Sequence, residues 1–385
     1  MKLCYLSNST LISDSANAVH VMKMCQAFAE NGHDVTLHAL EGEGDVDEVF
    51  DYYGVTTAFP IHRHNMGSDG ATNALWRMRA LLPFLRVGGL PTVVFARRQL
   101  APIISRTPSD LIYARSLYWL YGVRATIPFI YESHQPPLNA LDRYFERAIF
   151  NRPGFRGLTV ISQKLKQIYV AQYPGLADRI RVAHDAADDP GDAPDAEGTI
   201  HSDAGKIRVG YVGHLYKGRG IDLMLRLAKS FPATEFHFVG GRTIDVERFR
   251  AKNVPPNTVI HGHVPHGELK RLFPLFDVVL APYEKSVAVA GDAGETAAFM
   301  SPLKIFEYMS WSKAILCSDL PVLREVLTDD VNAILIPPDN FGAWHDALAH
   351  LIREPETRLD LGRAARRDFV AQHTWRRRAQ FVLEL

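Results

Sequence analysis

The sequence has few cysteines, no excess of charge of either sign and no long apolar run. Its three cysteines, Cys4, Cys25 and Cys317, are scattered, which argues against a disulfide framework or a cysteine metal site. Basic and acidic residues both number 43, so overall charge does not indicate a nucleic-acid partner. The N-terminus lacks the apolar region of a secretory signal, and no segment approaches the roughly 18 uninterrupted apolar residues of a membrane span. We therefore expect reduced thiols in a cytoplasmic protein.

Two common nucleotide-binding motifs are also missing. No G-x-G-x-x-G sequence is present, which counts against a nicotinamide dehydrogenase. The string GHLYKGRG at residues 213–220 follows a predicted strand and comes close to a P-loop. Arg219, however, replaces the P-loop lysine, and Gly220 stands where Ser or Thr would bind Mg²⁺. An ATPase or kinase is therefore disfavoured.

Strand and helix patterns alternate along the 385 residues, a length sufficient for two domains. Residues 2–6 and 34–39 read as strands on either side of a helix at 19–31, which is a βαβ unit. A second series opens at 206–213, after a segment at 187–206 rich in Asp, Pro, Gly, Ala and Ser. The pattern predicts an α/β protein of two doubly wound halves, with a cleft between the carboxyl ends of their sheets.

The segment 300–310, MSPLKIFEYMS, predicts a helix that begins at an anion site. Ser301 is a good N-cap, and Pro302 suits the first helical position. Apolar residues then repeat at helical spacing from Leu303 onwards. Lys304 adds a cation to the first turn, beside the free N–H groups and the positive end of the helix dipole. This combination favours a phosphate or diphosphate ligand.

The string SPLKIFEYMS, followed by AILCSDLPVLREVL, resembles the donor-binding region of retaining glycosyltransferases of family 4, which have the GT-B fold. The resemblance implies two Rossmann-like domains and a hexosyltransferase that uses a nucleotide-diphosphate-sugar. In that family the residue matching Glu307 holds the ribose hydroxyls, and residues at the helix start, here Ser301, Pro302 and Leu303, hold the diphosphate. Considered alone, Lys304 and Glu307 fit equally well an ion pair on an ordinary amphipathic helix.

The loop at residues 213–220 resembles the family's GRLxxxKG loop, in which Arg and Lys neutralise the diphosphate leaving group. Gly213 opens the loop, His214 stands at the Arg position and Arg219 at the Lys position. The permanent charge of Arg219 makes it a competent phosphate partner. Because the charge of His214 varies near neutral pH, Lys217 is a further candidate for the role of the family's Arg.

Three more segments resemble parts of the same family. In HGHV, His263 and Val264 match the loop whose backbone contacts the nucleobase, although the same string also fits a plain strand-to-helix turn. In IYESHQPP, His134 follows a strand and matches the YExH motif, whose His contacts the donor sugar or the reacting centre. Asn17 and His20 lie in a segment that resembles the first βα loop, which meets the donor or the acceptor.

One departure from the family pattern concerns the sugar. The family commonly places a first Glu eight residues before the ribose Glu, and here that position is Phe299. Asp292 and Glu295 precede it, but neither is in register. Two alternatives therefore stay open beside the transferase: a GT-B nucleotide-sugar epimerase and a non-catalytic nucleotide-sugar-binding protein.

The resemblance implies a UDP- or GDP-sugar as donor, with no separate cofactor and no metal, and a glycan or lipid-linked acceptor in polysaccharide, glycolipid or glycoconjugate assembly. The Arg-rich stretch 71–109 has no acidic residue. It is either a solvated basic face or a surface that meets anionic lipid at the inner face of the membrane. The predicted domains are an acceptor domain at 1–187, a linker at 188–205, a donor domain at 206–370 and a terminal helix at 371–385 that crosses back to the first domain.

Overall fold

The structure is a computed structural model that describes residues 1–68, 89–123, 126–191, 206–287 and 296–385. By its internal contacts the chain divides into two compact units. The first unit comprises Met1–Ile161, Leu165–Ala183 and Ala379–Leu385, and the second comprises Ser162–Lys164 and His184–Arg378.

The first unit contains a parallel sheet of seven described strands in the order β3-β2-β1-β4-β5-β6-β7. Its strands are Lys2–Leu11 (β1), Asp34–Glu41 (β2), Ile61–His64 (β3), Leu111–Ala114 (β4), Phe129–Ser133 (β5), Phe155–Val160 (β6) and Ile180–Val182 (β7). Its α-helices are Ala16–Glu30, Val46–Tyr53, Leu90–Phe95, Ala101–Arg106, Leu117–Val123, Ala140–Phe150 and Gln163–Gln172, the last of which begins in the second unit.

The second unit contains a parallel sheet of six described strands in the order β10-β9-β8-β11-β12-β13. Its strands are Arg208–Val212 (β8), Glu235–Val239 (β9), Thr258–Gly262 (β10), Val278–Ala281 (β11), Ala314–Ser318 (β12) and Ile334–Ile336 (β13). Its α-helices are Ile221–Ser230, Thr243–Arg250, Leu303–Ser310, Phe341–Arg353 and Pro355–Gln372, followed by Trp375–Val382, whose last residues group with the first unit.

Both sheets have the strand order 3-2-1-4-5-6 at their centre, which is the order of a Rossmann-like fold. Strands β4, β11 and β12 are buried along their whole length, because helices cover both faces of a parallel sheet. The predicted pair of doubly wound α/β halves is therefore confirmed. The three cysteines are free and buried, as expected.

Several predicted boundaries were wrong. Strand β1 continues to Leu11 instead of ending near residue 6, and the helix after it begins at Ala16, where the Ser15 hydroxyl oxygen accepts the Ala18 N–H at 3.2 Å. The segment after His263 and Val264 forms no α-helix among the described residues but the short 3₁₀ turns His266–Arg271 and Phe273–Leu275. Pro274 cannot donate the backbone hydrogen bond that a continuous helix would require there.

Ser301 does not cap the helix at residue 303. The capping position is Pro302, whose backbone is extended, and the helix itself begins at Leu303. The Ser301 hydroxyl oxygen instead accepts the backbone N–H of Asp185 at 2.8 Å, and the side chain is buried. Because no side-chain oxygen caps the first turn, its N–H groups keep the donor capacity that the sequence predicted.

Candidate functional site

Ligands of an open parallel sheet bind at the carboxyl ends of the strands, where the strand order reverses. In the second sheet this point lies between β8 and β11. The loop 213–220 follows β8, Tyr283 follows β11, and Lys304 of the neighbouring helix lies against both. Sequence segments far apart in the chain thus converge at one sheet edge.

Gly213 permits a close approach between the loop and Lys304. Its φ of +144° is one that side-chain-bearing residues rarely adopt. A Cβ at this position would lie 2.7 Å from Lys304 Nζ. On the other side, a Cβ on Gly240 would lie 2.3 Å from the Gly213 carbonyl oxygen. The two glycines therefore leave room for the lysine amine beside the backbone at the end of β8.

Lys304 and Arg219 are brought together over aromatic rings. Lys304 Nζ lies 3.8 Å from the ring centroid of Tyr211 and 5.4 Å from that of Tyr283. The guanidinium carbon of Arg219 lies 5.2 Å from the same Tyr283 centroid. The negative face of an aromatic ring attracts cations, so Tyr283 stabilises both charges at once. Nε of Arg219 is buried and has no hydrogen-bond partner among the described residues.

The environment of Lys304 disfavours its charge. The side chain is 8% exposed, and burial, reinforced by the charge of Arg219, lowers the pKa of Lys304 well below its usual value. Glu307 acts in the opposite direction and raises this pKa, but only as a smaller influence. Lys304 and Arg219 thus bring two basic side chains to the N-terminus of a helix. A bound anion would stabilise positive charge on both.

Glu307 is held by a histidine that the sequence did not reveal as a partner. Its Oε1 lies 2.9 Å from Nε2 of His266, and the two side chains are 12% and 18% exposed. His266 opens the 3₁₀ turn after β10, just beyond His263 and Val264. The carboxylate is thus fixed in direction while its second oxygen stays available.

The other predicted donor residues have diverse surroundings. The His214 ring stacks on Tyr216 at 4.6 Å, and its carbonyl oxygen accepts the Tyr211 hydroxyl at 2.6 Å. His263 is exposed, whereas Val264 is half-buried and packs against the hydrophobic core. Pro302 and Leu303 are half-buried at the helix start next to Lys304.

Phe299 lies where the family pattern has an acid. The side chain is buried, and its backbone carbonyl accepts the Ser162 hydroxyl at 2.9 Å. The apolar residue is therefore built into the packing of the second unit. Asp292 and Glu295, the nearest acids before it, lie outside the described residues.

In the first unit, His134 belongs to a cluster around a buried carboxylate. Glu132 is fully buried at the end of β5. Its Oε1 lies 2.5 Å from Nε2 of His134 and 3.0 Å from Nε2 of His20, while its Oε2 accepts the Tyr113 hydroxyl. The two imidazole rings meet edge to face at 4.8 Å. The structure thus joins two predicted site residues through Glu132, to which the sequence gave no role.

A pocket of about 340 Å³ adjoins this cluster at the carboxyl ends of β1, β4 and β5. Asn17, predicted on the acceptor side, lines it, and its amide donates to the Ser9 hydroxyl. The lining is mainly polar, which suits a hydroxyl-rich ligand. It includes Asn8, Asn17, Arg115, Ser116, Tyr118, Glu132, Ser133, His134, Gln135, Asp142 and Glu146.

Sequence reasoning missed Tyr211, Tyr283, His266 and Glu132. The two tyrosines lie at or just after the ends of β8 and β11, the pair of strands that flank the switch point. An aromatic residue at both ends was the available signal for a cation site. The partners of His266 and Glu132 left no such signal, since both pairings depend on side-chain directions.

The Arg-rich stretch is described only from residue 89 onwards, so residues 71–88, with Arg77, Arg79 and Arg86, lie outside the described residues. Arg97, Arg98 and Arg106 are exposed. Contact of this stretch with anionic lipid stays a prediction. Within the described ranges, no helix has both the length and the apolar character needed to cross a bilayer.

Two family models match the chain. The one described as "Glycosyltransferase Family 4" matches residues 18–190, and the one described as "Glycosyl transferases group 1" matches residues 196–368. Together they account for most of both units. None of the curated proteins compared with the chain matches it significantly.

Solved structures resemble the whole chain. Sucrose-phosphate synthase from Thermosynechococcus elongatus has a TM-score of 0.71 at 15% identity, over 100% of this chain and 98% of that one. Anabaena HepE in complex with UDP-glucose gives 0.66 at 13%, with coverage of 100% and 98%. WaaG, a glycosyltransferase involved in lipopolysaccharide biosynthesis, gives 0.61 at 14%, with 99% and 98%. At these identities the likeness shows the fold.

The fold and the family models together define a glycosyltransferase with the GT-B fold. The chain belongs to the GT-B glycosyltransferases described by the family 4 and group 1 models, as the resemblance of its donor-binding string predicted.

Proposed function

We propose that the protein is a retaining glycosyltransferase that moves a sugar from a nucleotide-diphosphate-sugar to a glycan or lipid-linked acceptor. The observation that carries this proposal is the pair of cations at the switch point of the second sheet. Lys304 and Arg219 lie over one tyrosine ring, beside a helix start that has no side-chain cap. This arrangement fits a diphosphate better than a single carboxylate, because it offers several donors and two basic side chains.

The reaction breaks the bond between the anomeric carbon and the diphosphate oxygen. Negative charge develops on that oxygen, where Arg219 and Lys304 would stabilise it without a metal ion. The acceptor hydroxyl bonds to the anomeric carbon on the same face, and its proton passes to a donor phosphate oxygen. This course, which the family resemblance implies, requires no enzymic base. His134 is assigned to the donor sugar or the reacting centre, with Glu132 holding its ring.

We infer that the donor is a UDP-sugar, with a GDP-sugar as the second candidate. A protein with a similar fold, Anabaena HepE, has been solved in complex with UDP-glucose. For the acceptor, the polar 340 Å³ pocket of the first unit favours a hydroxyl-rich molecule. We place the reaction in the cytoplasm, in polysaccharide or glycolipid assembly. WaaG, which has a similar fold, is a glycosyltransferase involved in lipopolysaccharide biosynthesis.

A thermal-shift panel with UDP, GDP and ADP tests the donor site. A ligand at about 100 times its Kd stabilises the native state by about 2.7 kcal/mol, which raises Tm by several degrees. We expect one nucleotide to shift the Tm of wild type and of the exposed control Glu247→Ala equally, and to shift that of Glu307→Ala much less. No shift with any nucleotide would contradict the proposal. Binding without transfer, across a broad acceptor panel, would favour the non-catalytic alternative.

A further inference from the structure

Lys304 has an unusual shortage of negative neighbours for a buried lysine. Its amine faces the rings of Tyr211 and Tyr283 and lies against Gly213. Within the described part of the chain, no carboxylate oxygen comes within 4.0 Å of Nζ. A buried ammonium ion loses its hydration, and rings compensate for only part of that loss. The empty site therefore stabilises the charged form of Lys304 poorly.

The charged and titratable groups facing Lys304 come from four elements besides its own helix. They are Tyr211 of β8, Arg219 of the following loop, Tyr283 after β11 and Cys317 of β12, with Glu307 on the lysine's own helix. Burial raises the pKa of the two phenols and of the thiol, so all three are neutral near pH 7.

Only two of these neighbours carry charge near neutral pH, and they oppose each other. The guanidinium of Arg219 repels a charged Lys304, whereas the carboxylate of Glu307 attracts it. Glu307, however, is also in contact with His266, whose Nε2 lies 2.9 Å from its Oε1, and its influence on Lys304 is smaller than that of burial and of Arg219. The net surroundings of the amine thus disfavour the ammonium form.

A diphosphate diester would reverse this balance. It carries two negative charges at neutral pH, and at this helix start it would lie between Arg219 and Lys304. Two nearby negative charges favour the protonated amine and cancel the repulsion from Arg219. The lysine would then match the charge of its ligand only while the ligand is bound.

We propose that Lys304 is largely uncharged in the free protein and takes up a proton from solvent when a nucleotide-diphosphate-sugar binds. This inference rests on the proposed donor site. The amine gains one proton, no covalent bond changes, and the proton returns to solvent when the nucleoside diphosphate leaves. A site whose second cation forms only on binding would bind stray anions more weakly than one with two permanent cations.

Isothermal titration calorimetry measures the uptake directly. UDP-glucose, GDP-mannose and ADP-glucose are titrated into the full chain between about pH 7 and about pH 9, in buffers of different ionisation enthalpy. Neither phosphate of these diesters titrates in this range. The dependence of the binding heat on the buffer gives the number of protons taken up per ligand. For wild type we expect a maximum approaching one proton.

Lys304→Arg is the matched control, since an arginine keeps its charge at every pH used. We expect this variant to bind within about tenfold of wild type, with no proton uptake from position 304. Uptake that persists unchanged in Lys304→Arg would assign the proton to a histidine such as His214 or His263 and overturn the inference. The exposed variant Lys270→Arg should behave as wild type.

The outcomes separate the inference from the proposed function. Binding of a nucleotide-sugar by wild type without buffer-dependent heat contradicts the inference and leaves the donor site intact. No binding of any of the three contradicts both. Should Lys304→Arg fail to fold, Lys304→Gln replaces it, and uptake that survives in that variant contradicts the inference equally.

Discussion

Glu307, which is expected to bind the ribose hydroxyls, is held in its orientation by His266. Because a hydrogen bond to a charged group contributes about 1.5–3 kcal/mol, Glu307→Ala should weaken binding of the nucleotide-sugar by about 10- to 100-fold. The pair is partly exposed, so we expect the free energy of unfolding to change by less than about 1 kcal/mol. Calorimetric titration and urea unfolding measure the two quantities. Unchanged donor affinity would remove the ribose role.

A second test concerns Glu132, a fully buried residue whose carboxylate contacts the imidazoles of His20 and His134. Glu132→Gln keeps the shape but removes the charge that orients His134. We expect turnover to fall by about 10- to 100-fold, while the Kd for the donor changes little. His134→Ala should lower turnover at least as much.

The exposed variant Glu43→Gln is the control for the loss of one carboxylate in the first unit. Steady-state kinetics with the identified donor give the turnover numbers, and the pH profile of turnover should change in Glu132→Gln alone. A normal rate and an unchanged pH profile in Glu132→Gln would show that turnover does not depend on the orientation of His134 by Glu132.

Among the elements, the loop after β8 depends on Gly213. Alanine there would place a Cβ 2.7 Å from Lys304 Nζ, and φ is +144°. We expect Gly213→Ala to displace the lysine and weaken nucleotide-sugar binding by about tenfold or more. Gly32→Ala is the matched control, because Gly32 also has a positive φ but open space around it. Equal effects of both substitutions on binding would contradict this account of the loop.

The first sheet has an acid-sensitive edge where β2 pairs with β3. His38 and His64 are 3.0 Å apart through ring nitrogens, and their rings stack. Burial, with the charges of neighbouring imidazoles, lowers the pKa of His38 to about 3 and that of His64 to about 4. Both imidazoles are therefore neutral in the folded protein at neutral pH.

The unfolded chain would protonate both residues near pH 6.5. The stability that the two neutral imidazoles contribute is fully present above that pH. It is lost as the pH falls from about 6.5 towards about 4 for His64 and about 3 for His38, by at most about 1.4 kcal/mol per pH unit for buried His38. Urea unfolding at pH 7 and pH 5 should show a smaller loss in His38→Phe than in wild type. An identical loss would assign the acid sensitivity to other groups.

Across the whole molecule, the repeat of strand and helix patterns was enough to predict two parallel-sheet units. Hydrophobic periodicity and the Asp-, Pro- and Gly-rich segment near residue 190 are local features of the sequence, so both can be recognised without a structure. Helix starts were less predictable. Ser301 has the side chain of an N-cap, but its hydroxyl is used by the Asp185 N–H, a partner more than a hundred residues away.

In the candidate site, too, the residues that belong to short sequence motifs could be predicted, whereas their partners from distant segments could not. Lys304 was identified from a short string at a helix start, where a cation favours a phosphate ligand. Arg219 was identified from the resemblance of the loop 213–220 to the family's GRLxxxKG loop. Their common ring, Tyr283, and the His266 partner of Glu307 come from other segments, and only folding brings them together. Pairings of this kind need three-dimensional coordinates.

The most direct test of the account is ¹H NMR of UDP-glucose and GDP-mannose turnover by the full chain, with water or a sugar panel as acceptor. A retaining transferase should release the nucleoside diphosphate and, before mutarotation, give a product sugar with the anomeric configuration of the donor. Turnover should fall by about 100-fold or more in Lys304→Gln, because the leaving group loses a cation. An inverted product, no turnover of either donor, or undiminished turnover in Lys304→Gln would contradict the account.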